Sequence, residues 1–254
     1  MSKFKKIVIF GASQGIGKAL ALEYARTGSS LVLLSRNEKE TGAIALEIST
    51  ESCKCYSKKC DVTLLDDVRE GLAFAANSLG SIDLVIINSG VGGPNWMQSF
   101  SSEQFKQTFA VNTFGIAHVL ECVIPIMKKQ GYGTIAGITS LADVRGYGGS
   151  SSYSASKAAG SILLEAARVE LKKDNIRVIT VRPGFVKTAM TDKNEFKMPL
   201  LMQPDKAARI IRKGIESGRS IVQFPFPIVM ATRLIKFLPN RIFDWAMNLA
   251  RPKK

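Results

Sequence analysis

The stretch Ile7-Val8-Ile9-Phe10-Gly11-Ala12-Ser13-Gln14-Gly15-Ile16-Gly17 decides the fold of this chain. Four consecutive apolar residues suit a parallel strand buried on both faces. Lys18 to Arg26 then carries helical periodicity. Strand, glycine turn and helix in this order form the first half of a dinucleotide-binding unit. Gly11 lets the chain leave the strand sharply. Gly15 and Gly17 permit close approach of backbone, helix and a pyrophosphate, whose charge meets N–H groups at the helix N-terminus. Ser13, Gln14 and Ile16 complete the turn and count with it as nucleotide contacts. The spacing is G-x-x-x-G-x-G, whereas the commoner fingerprint is G-x-G-x-x-G. The glycines alone would fit a plain turn; their place between strand and helix favours phosphate binding.

A second apolar run, Leu31-Val32-Leu33-Leu34, leads into Ser35-Arg36-Asn37, and no carboxylate appears before Glu38. An acidic residue here would hold the ribose hydroxyls of NAD, while an arginine accommodates a 2′-phosphate. Arg36, with Ser35, therefore points to NADP(H) ahead of NAD(H). Further strands are predicted near residues 53–58, 82–87, 132–138, 176–181 and 220–223, alternating with helical segments. That alternation predicts an α/β, Rossmann-type doubly wound parallel sheet in three layers and one domain. The strand ends at Gly11, Arg36, Asp61, Asn88 and Ser140 then share the carboxyl edge, where such sheets bind ligands.

Tyr153 and Lys157, in Ser-Tyr-Ser-Ala-Ser-Lys-Ala-Ala, lie four residues apart. On a helix that spacing puts both on one face. A neighbouring cation favours the ionised phenol, so Lys157 is expected to draw the Tyr153 pKa down from about 10. A phenol tuned in this way can pass a proton near neutral pH, as carbonyl reduction requires.

With these residues in view, the chain resembles the short-chain dehydrogenase/reductase family in its single-domain subgroup, from about Ile7 to about Thr188. The glycine turn matches at Gly11, Gly15 and Gly17. Asp61-Val62 is similar to the family's adenine-contacting pair, and Asn88-Ser89-Gly90 to its Asn-Asn-Ala-Gly segment. Asn112 and Ser140 stand where the family carries two further members of its catalytic tetrad. The segment Pro183-Gly184-Phe185-Val186-Lys187-Thr188 resembles the one that embraces nicotinamide. Phe10, Ile87 and Ser89 depart from the pattern and place some turn hydrogen bonds in question.

The resemblance implies hydride transfer between nicotinamide and a carbonyl, with Tyr153 giving the proton and Ser140 orienting the oxygen. Lys157 would lower the tyrosine pKa and hold the nicotinamide ribose, and Asn112 would position a water. It also implies pairing of copies through segments 103–129 and 153–173. A hydrophobic or acyl-chain ketone, or the corresponding alcohol, is the expected substrate. Alternatives are a 3-oxoacyl-carrier-protein reductase and, in a different class, a non-catalytic NADP-binding sensor or scaffold.

The 254 residues fit one domain with a sizeable core. No uninterrupted apolar run reaches the roughly 20 residues of a membrane span. The basic N-terminus leads straight into the first strand, unlike a signal peptide. Four cysteines suit a reducing, cytoplasmic setting. Cys53, Cys55 and Cys60 lack a fourth ligand and good spacing for zinc, so no metal is expected, and His118 reads as incidental. The net charge of +14 fits a solvated basic surface or a preference for anionic partners. No nucleic-acid module is evident.

The catalytic unit is assigned to residues 1–225. Within it, residues 187–203 read as a substrate loop with Phe196, Met198, Leu200, Leu201 and Met202 as apolar lining. Trp96 and Met97 would supply the opposite wall; core packing or a dimer contact accounts for all of these equally well. Residues 226–254 form a basic amphipathic extension in which Asp244 is the only acid. The extension is expected to pack on the domain or a partner subunit, with peripheral contact to an anionic membrane as the alternative.

Overall fold

The computed structural model describes residues 2–193 and 198–249. Among the described residues seven strands form one parallel sheet: β1 (Lys6–Phe10), β2 (Ser30–Ser35), β3 (Cys55–Lys59), β4 (Leu84–Ile87), β5 (Gly133–Ile138), β6 (Ile176–Pro183) and β7 (Ile221–Phe224). Their order is β3-β2-β1-β4-β5-β6-β7. All seven fall where the sequence predicts strands, with ends shifted by a residue or two.

The pleat sends alternate side chains to opposite faces. Ile7, Ile9, Leu31 and Leu33 enter one core, under α1 (Gly15–Ala25), α2 (Glu38–Ile48) and α7 (Pro204–Glu216). Val8, Phe10, Val32 and Leu34 enter the other. That second core is covered by α3 (Leu65–Leu79), α5 (Gly115–Gln130) and α6 (Ser151–Glu170). Both faces are thus dry, which is why the strands read as unbroken apolar runs rather than alternating ones. The chain reverses its winding between β3 and β4. Phe10 pairs with Leu34 on one side and Ile87 on the other, so the crevice opens beyond Gly11 and Asn88.

A short helix α4 (Ser102–Phe109) joins α5 through a π turn, Ala110–Phe114, making one helical run from Ser102 to Gln130. Its most apolar window reaches a mean hydropathy of 1.6, so length and composition would allow a membrane span. The α5 side chains Val119, Val123 and Met127 are spent on the sheet core.

After β7 come α8 (Phe226–Phe237) and α9 (Asn240–Leu249). Val229 and Thr232 of α8 and Phe243 of α9 are buried against the domain. Arg145 ties down the corner between them. Its guanidinium donates to the Leu238 carbonyl and to Asn240 Oδ1, both at 3.0 Å, and lies 4.1 Å over the Phe243 ring. Arg251, Lys253 and Lys254 lie outside the described residues.

Candidate active site

The glycine turn follows from β1 having to bend at once into α1. Gly11 has φ +74°, a left-handed conformation that side chains disfavour. Its amide donates to the Leu34 carbonyl at 2.7 Å, and Asn88 Nδ2 donates to its carbonyl at 2.8 Å. The turn is therefore anchored despite Phe10 and Ser89, and Phe10 itself is fully buried core. Gly17 is forced by packing: a Cβ there would stand 2.1 Å from the Gly11 carbonyl oxygen. Helix α1 begins with no acidic residue in its first turn and no side chain capping its amides. Those free N–H groups at the positive helix end suit an anion.

Beyond the turn lies a cleft of about 390 Å³, within the range of small-molecule sites. Gly11, Ser13, Gln14, Gly15, Ile16, Ser35, Arg36, Asp61, Val62, Asn88 and Gly90 line one part of it. Ser140, Tyr153, Lys157, Pro183, Gly184, Val186 and Thr188 line the rest. Gly17 and Asn112 are the sequence-predicted residues that stand behind the wall. A nucleotide fits these residues on two counts: a cradle too tight for a Cβ at Gly17, and an uncapped helix end facing the cleft. Asp61 is the one acid among the described lining residues, and its Oδ1 already accepts from Thr63 N and Oγ1 at 3.0 and 2.8 Å. Arg36 at the end of β2 is exposed.

Asn112, fully buried in the π turn, accepts from Val91 N at 2.8 Å. It donates to Val91 O at 2.9 Å and to Ser156 Oγ at 3.0 Å. Its side chain is thus spent on fixing the cleft wall at Val91 and the first turns of α6.

Ser140 ends the extended segment after β5 and caps a 3₁₀ turn, Leu141–Asp143, by accepting from Ala142 N at 3.1 Å. Helix α6 brings Tyr153 and Lys157 to the same wall. The ammonium sits 5.8 Å from the Tyr153 ring centroid and donates to the Ile138 carbonyl at 3.0 Å. It is only 4% exposed, and burial pulls its pKa down to about 8, opposed by the nearby Asp143 carboxylate.

The phenol departs from expectation. Its pKa is raised, chiefly by burial, with a hydrogen bond from Ser140 opposing and Asp143 adding to the rise. Lys157 is adjacent, as the spacing requires, yet the shift follows desolvation and not its charge. Tyr153 is therefore held neutral in the protein alone. Asp143 is an unabsorbed neighbour: 2% exposed, it pairs with Arg182 and accepts from Ser161 Oγ, tying the Ser140 turn to the strand before Pro183.

The apolar substrate wall is only partly as predicted. Met202 is buried in the core, because its backbone pairs with Phe185 and Lys187 at 2.9 Å. Leu200, Leu201 and Met97 face solvent, and none of them lines the cleft. Trp96 packs instead on the loop before α6, where a Cβ at Gly149 would lie 2.8 Å from its ring. Phe196 lies outside the described residues. Met190, Val91 and Val111 line the cleft in their place, and sequence reasoning passed over them. Met190 lies close to the Tyr153 ring: a Cβ at Gly92 would be 3.1 Å from Tyr153 and 3.2 Å from Met190 Sδ.

Cys53 and Cys60 are buried, and burial pushes the Cys60 thiol up to about 12. His118 Nδ1 shares a hydrogen bond with the Val62 carbonyl at 2.9 Å. Among the described residues no His, Cys, Asp or Glu group is arranged to hold a metal.

Residues 5–198 match the family model described as short chain dehydrogenase. An uncharacterized oxidoreductase of Myxococcus xanthus is 35% identical over 248 residues, covering 98% of each chain. The crystal structure of an alcohol dehydrogenase from the archaeon Thermococcus sibiricus, complexed with 5-hydroxy-NADP, superposes with a TM-score of 0.78 at 27% identity. It covers 87% of this chain and 96% of its own. A 7α-hydroxysteroid dehydrogenase complexed with NADH and 7-oxo glycochenodeoxycholic acid gives a TM-score of 0.79 at 28% identity. There the coverage is 86% of this chain and 92% of the other.

Proposed function

The chain belongs to the short-chain dehydrogenase family and is an oxidoreductase, and we propose that it reduces a hydrophobic ketone to a secondary alcohol with NADPH. The observation that carries this reading is one wall holding Ser140, a neutral Tyr153 and a charged Lys157, facing the glycine turn across a shared cleft. The nucleotide, when bound, supplies the hydride. The chain's own residues orient the substrate and manage the proton. Gly11, Gly15 and the α1 amides would hold the pyrophosphate, and Asp61, Val62 and Asn88 would hold the adenosine. Pro183, Gly184, Val186 and Thr188, which line the same cleft, would hold the nicotinamide.

Ser140 Oγ donates to the substrate carbonyl oxygen and holds it in place. Tyr153 gives its phenolic proton to the same oxygen as charge develops there. Lys157 keeps a positive charge beside the resulting phenolate and offers its remaining N–H groups to the nicotinamide ribose. A raised phenol pKa favours this direction over oxidation, which would start from the phenolate. Preference for NADPH rests on Arg36 and on the lack of a carboxylate at the end of β2. A hydrophobic ketone is favoured by Met190, Val91, Val111 and Ile138 in the cleft, and by the oxo bile acid held by one relative.

The test follows NADPH and NADH oxidation over a panel of aliphatic, aromatic, polycyclic and acyl-thioester ketones. The reading predicts NADPH-dependent turnover of at least one apolar ketone, with acyl thioesters slower. Turnover restricted to acyl-carrier thioesters, or NADH oxidised in preference to NADPH, would contradict it. Exposed Phe114, Ile162 and Val169 on the α5–α6 side fit pairing of two copies there, which sedimentation velocity reads directly.

A further inference from the structure

Helix α8 carries two apolar stripes, and the domain uses only one. Val229 and Thr232 are buried, and Ile228 and Ile235 half-buried, against the domain. On the outer side stand Phe226, Met230, Leu234 and Phe237, spaced by four, four and three residues and so aligned along one face. Phe226 is 74% exposed, Leu234 67% and Phe237 82%. The next helix adds Ile242 and Trp245, the latter 65% exposed. Side chains of this size rarely stand together in water without a partner. Arg233, Lys236 and Arg241 are exposed on the same two helices, where Asp244 is the only acid.

We propose that this outer face of α8 and α9 docks the protein on an anionic lipid bilayer. The aromatic and aliphatic side chains enter the boundary between headgroups and acyl chains, while the basic groups stay among the headgroups. Charge argues against a second copy as the occupant. A two-fold contact would set Arg233, Lys236 and Arg241 against themselves, in chains that each carry +14. An anionic surface meets the same groups with attraction. The docking is independent of what the catalytic site reduces. The Gly184 amide donates to the Phe224 carbonyl at 2.7 Å, so the exposed stripe starts beside the nucleotide-binding edge.

The full chain is sedimented with vesicles of phosphatidylcholine alone and with a third phosphatidylglycerol, at low and high salt. Wild type is expected to pellet with the anionic vesicles at least tenfold more than with neutral ones, and to be released by salt. The triple change Phe226→Ser, Leu234→Ser, Phe237→Ser removes only exposed side chains. It should abolish pelleting while leaving the circular dichroism spectrum and NADPH binding unchanged. Arg233→Glu with Lys236→Glu should cut pelleting at least fivefold. The proposal is overturned if wild type stays in the supernatant with anionic vesicles, or if the triple variant pellets like wild type. It is equally overturned if wild type ignores vesicles and the triple variant turns a dimer into a monomer, which would make the stripe a contact between copies.

Discussion

Replacing Lys157 by methionine should change how stability depends on pH, by an amount that follows from the burial of its ammonium. In the folded protein the group titrates near 8, against an ordinary 10.5. At 1.36 kcal/mol per tenfold change in proton affinity, holding the charge in the fold costs about 3 kcal/mol below pH 8. Between pH 8 and 10.5 the unfolded chain keeps the proton that the native protein has released. The unfolded state then binds more protons, so native stability rises with pH across that window. Lys157→Met has nothing to titrate there. Subtracting the variant's unfolding free energy from that of wild type cancels the other lysines and tyrosines. That difference should move in favour of wild type by roughly 2–3 kcal/mol from pH 7 to pH 10. Urea unfolding followed by far-ultraviolet circular dichroism, without added nucleotide, reads it. A difference that stays flat, or moves the other way, would refute the picture of a charged, desolvated lysine donating to the Ile138 carbonyl.

The same titration bears on turnover: reductase activity should fall about tenfold per pH unit above pH 8 as Lys157 loses its charge, while the raised Tyr153 phenol stays protonated. A rate profile flat to pH 10 would separate Lys157 from the chemistry. Gly17→Ala would push a methyl to 2.1 Å from the Gly11 carbonyl oxygen, so the turn must shift. NADPH affinity by fluorescence titration should drop at least about tenfold. Arg36→Ala should weaken NADPH by about 10- to 100-fold, the worth of charge-assisted bonds to phosphate, and leave NADH within about twofold. Equal losses for both nucleotides would remove Arg36 from 2′-phosphate recognition.

How much the letters revealed depended on how each feature is encoded. The central strands were legible because a strand buried on both faces is a continuous apolar run, as in Ile7–Phe10 and Leu84–Ile87. Tyr153 and Lys157 were legible as neighbours because a helix fixes that geometry. Their ionisation was not, since desolvation depends on what Ile138, Asp143 and the cleft walls do around them. The partners of the Asn112 amide were not legible either, because its contacts with Val91 and Ser156 arise only in the folded loop. The segment at Leu200–Met202 has no period, so nothing in its order tells which side chain turns inward. Backbone pairing with Phe185 and Lys187 sends Met202 into the core and leaves Leu200 and Leu201 outside. The tail was readable as amphipathic, but its second apolar stripe emerged only once Val229 and Thr232 were seen to face the domain.

The measurement that bears most directly on the account is the single-turnover reduction of the ketone substrate by Tyr153→Phe with NADPH saturating. Loss of one hydroxyl should slow reduction by about 10²- to 10⁴-fold, the usual worth of a positioned proton donor, with NADPH affinity unchanged within about twofold. A variant that reduces the ketone within about threefold of the wild-type rate would show that the proton comes from elsewhere.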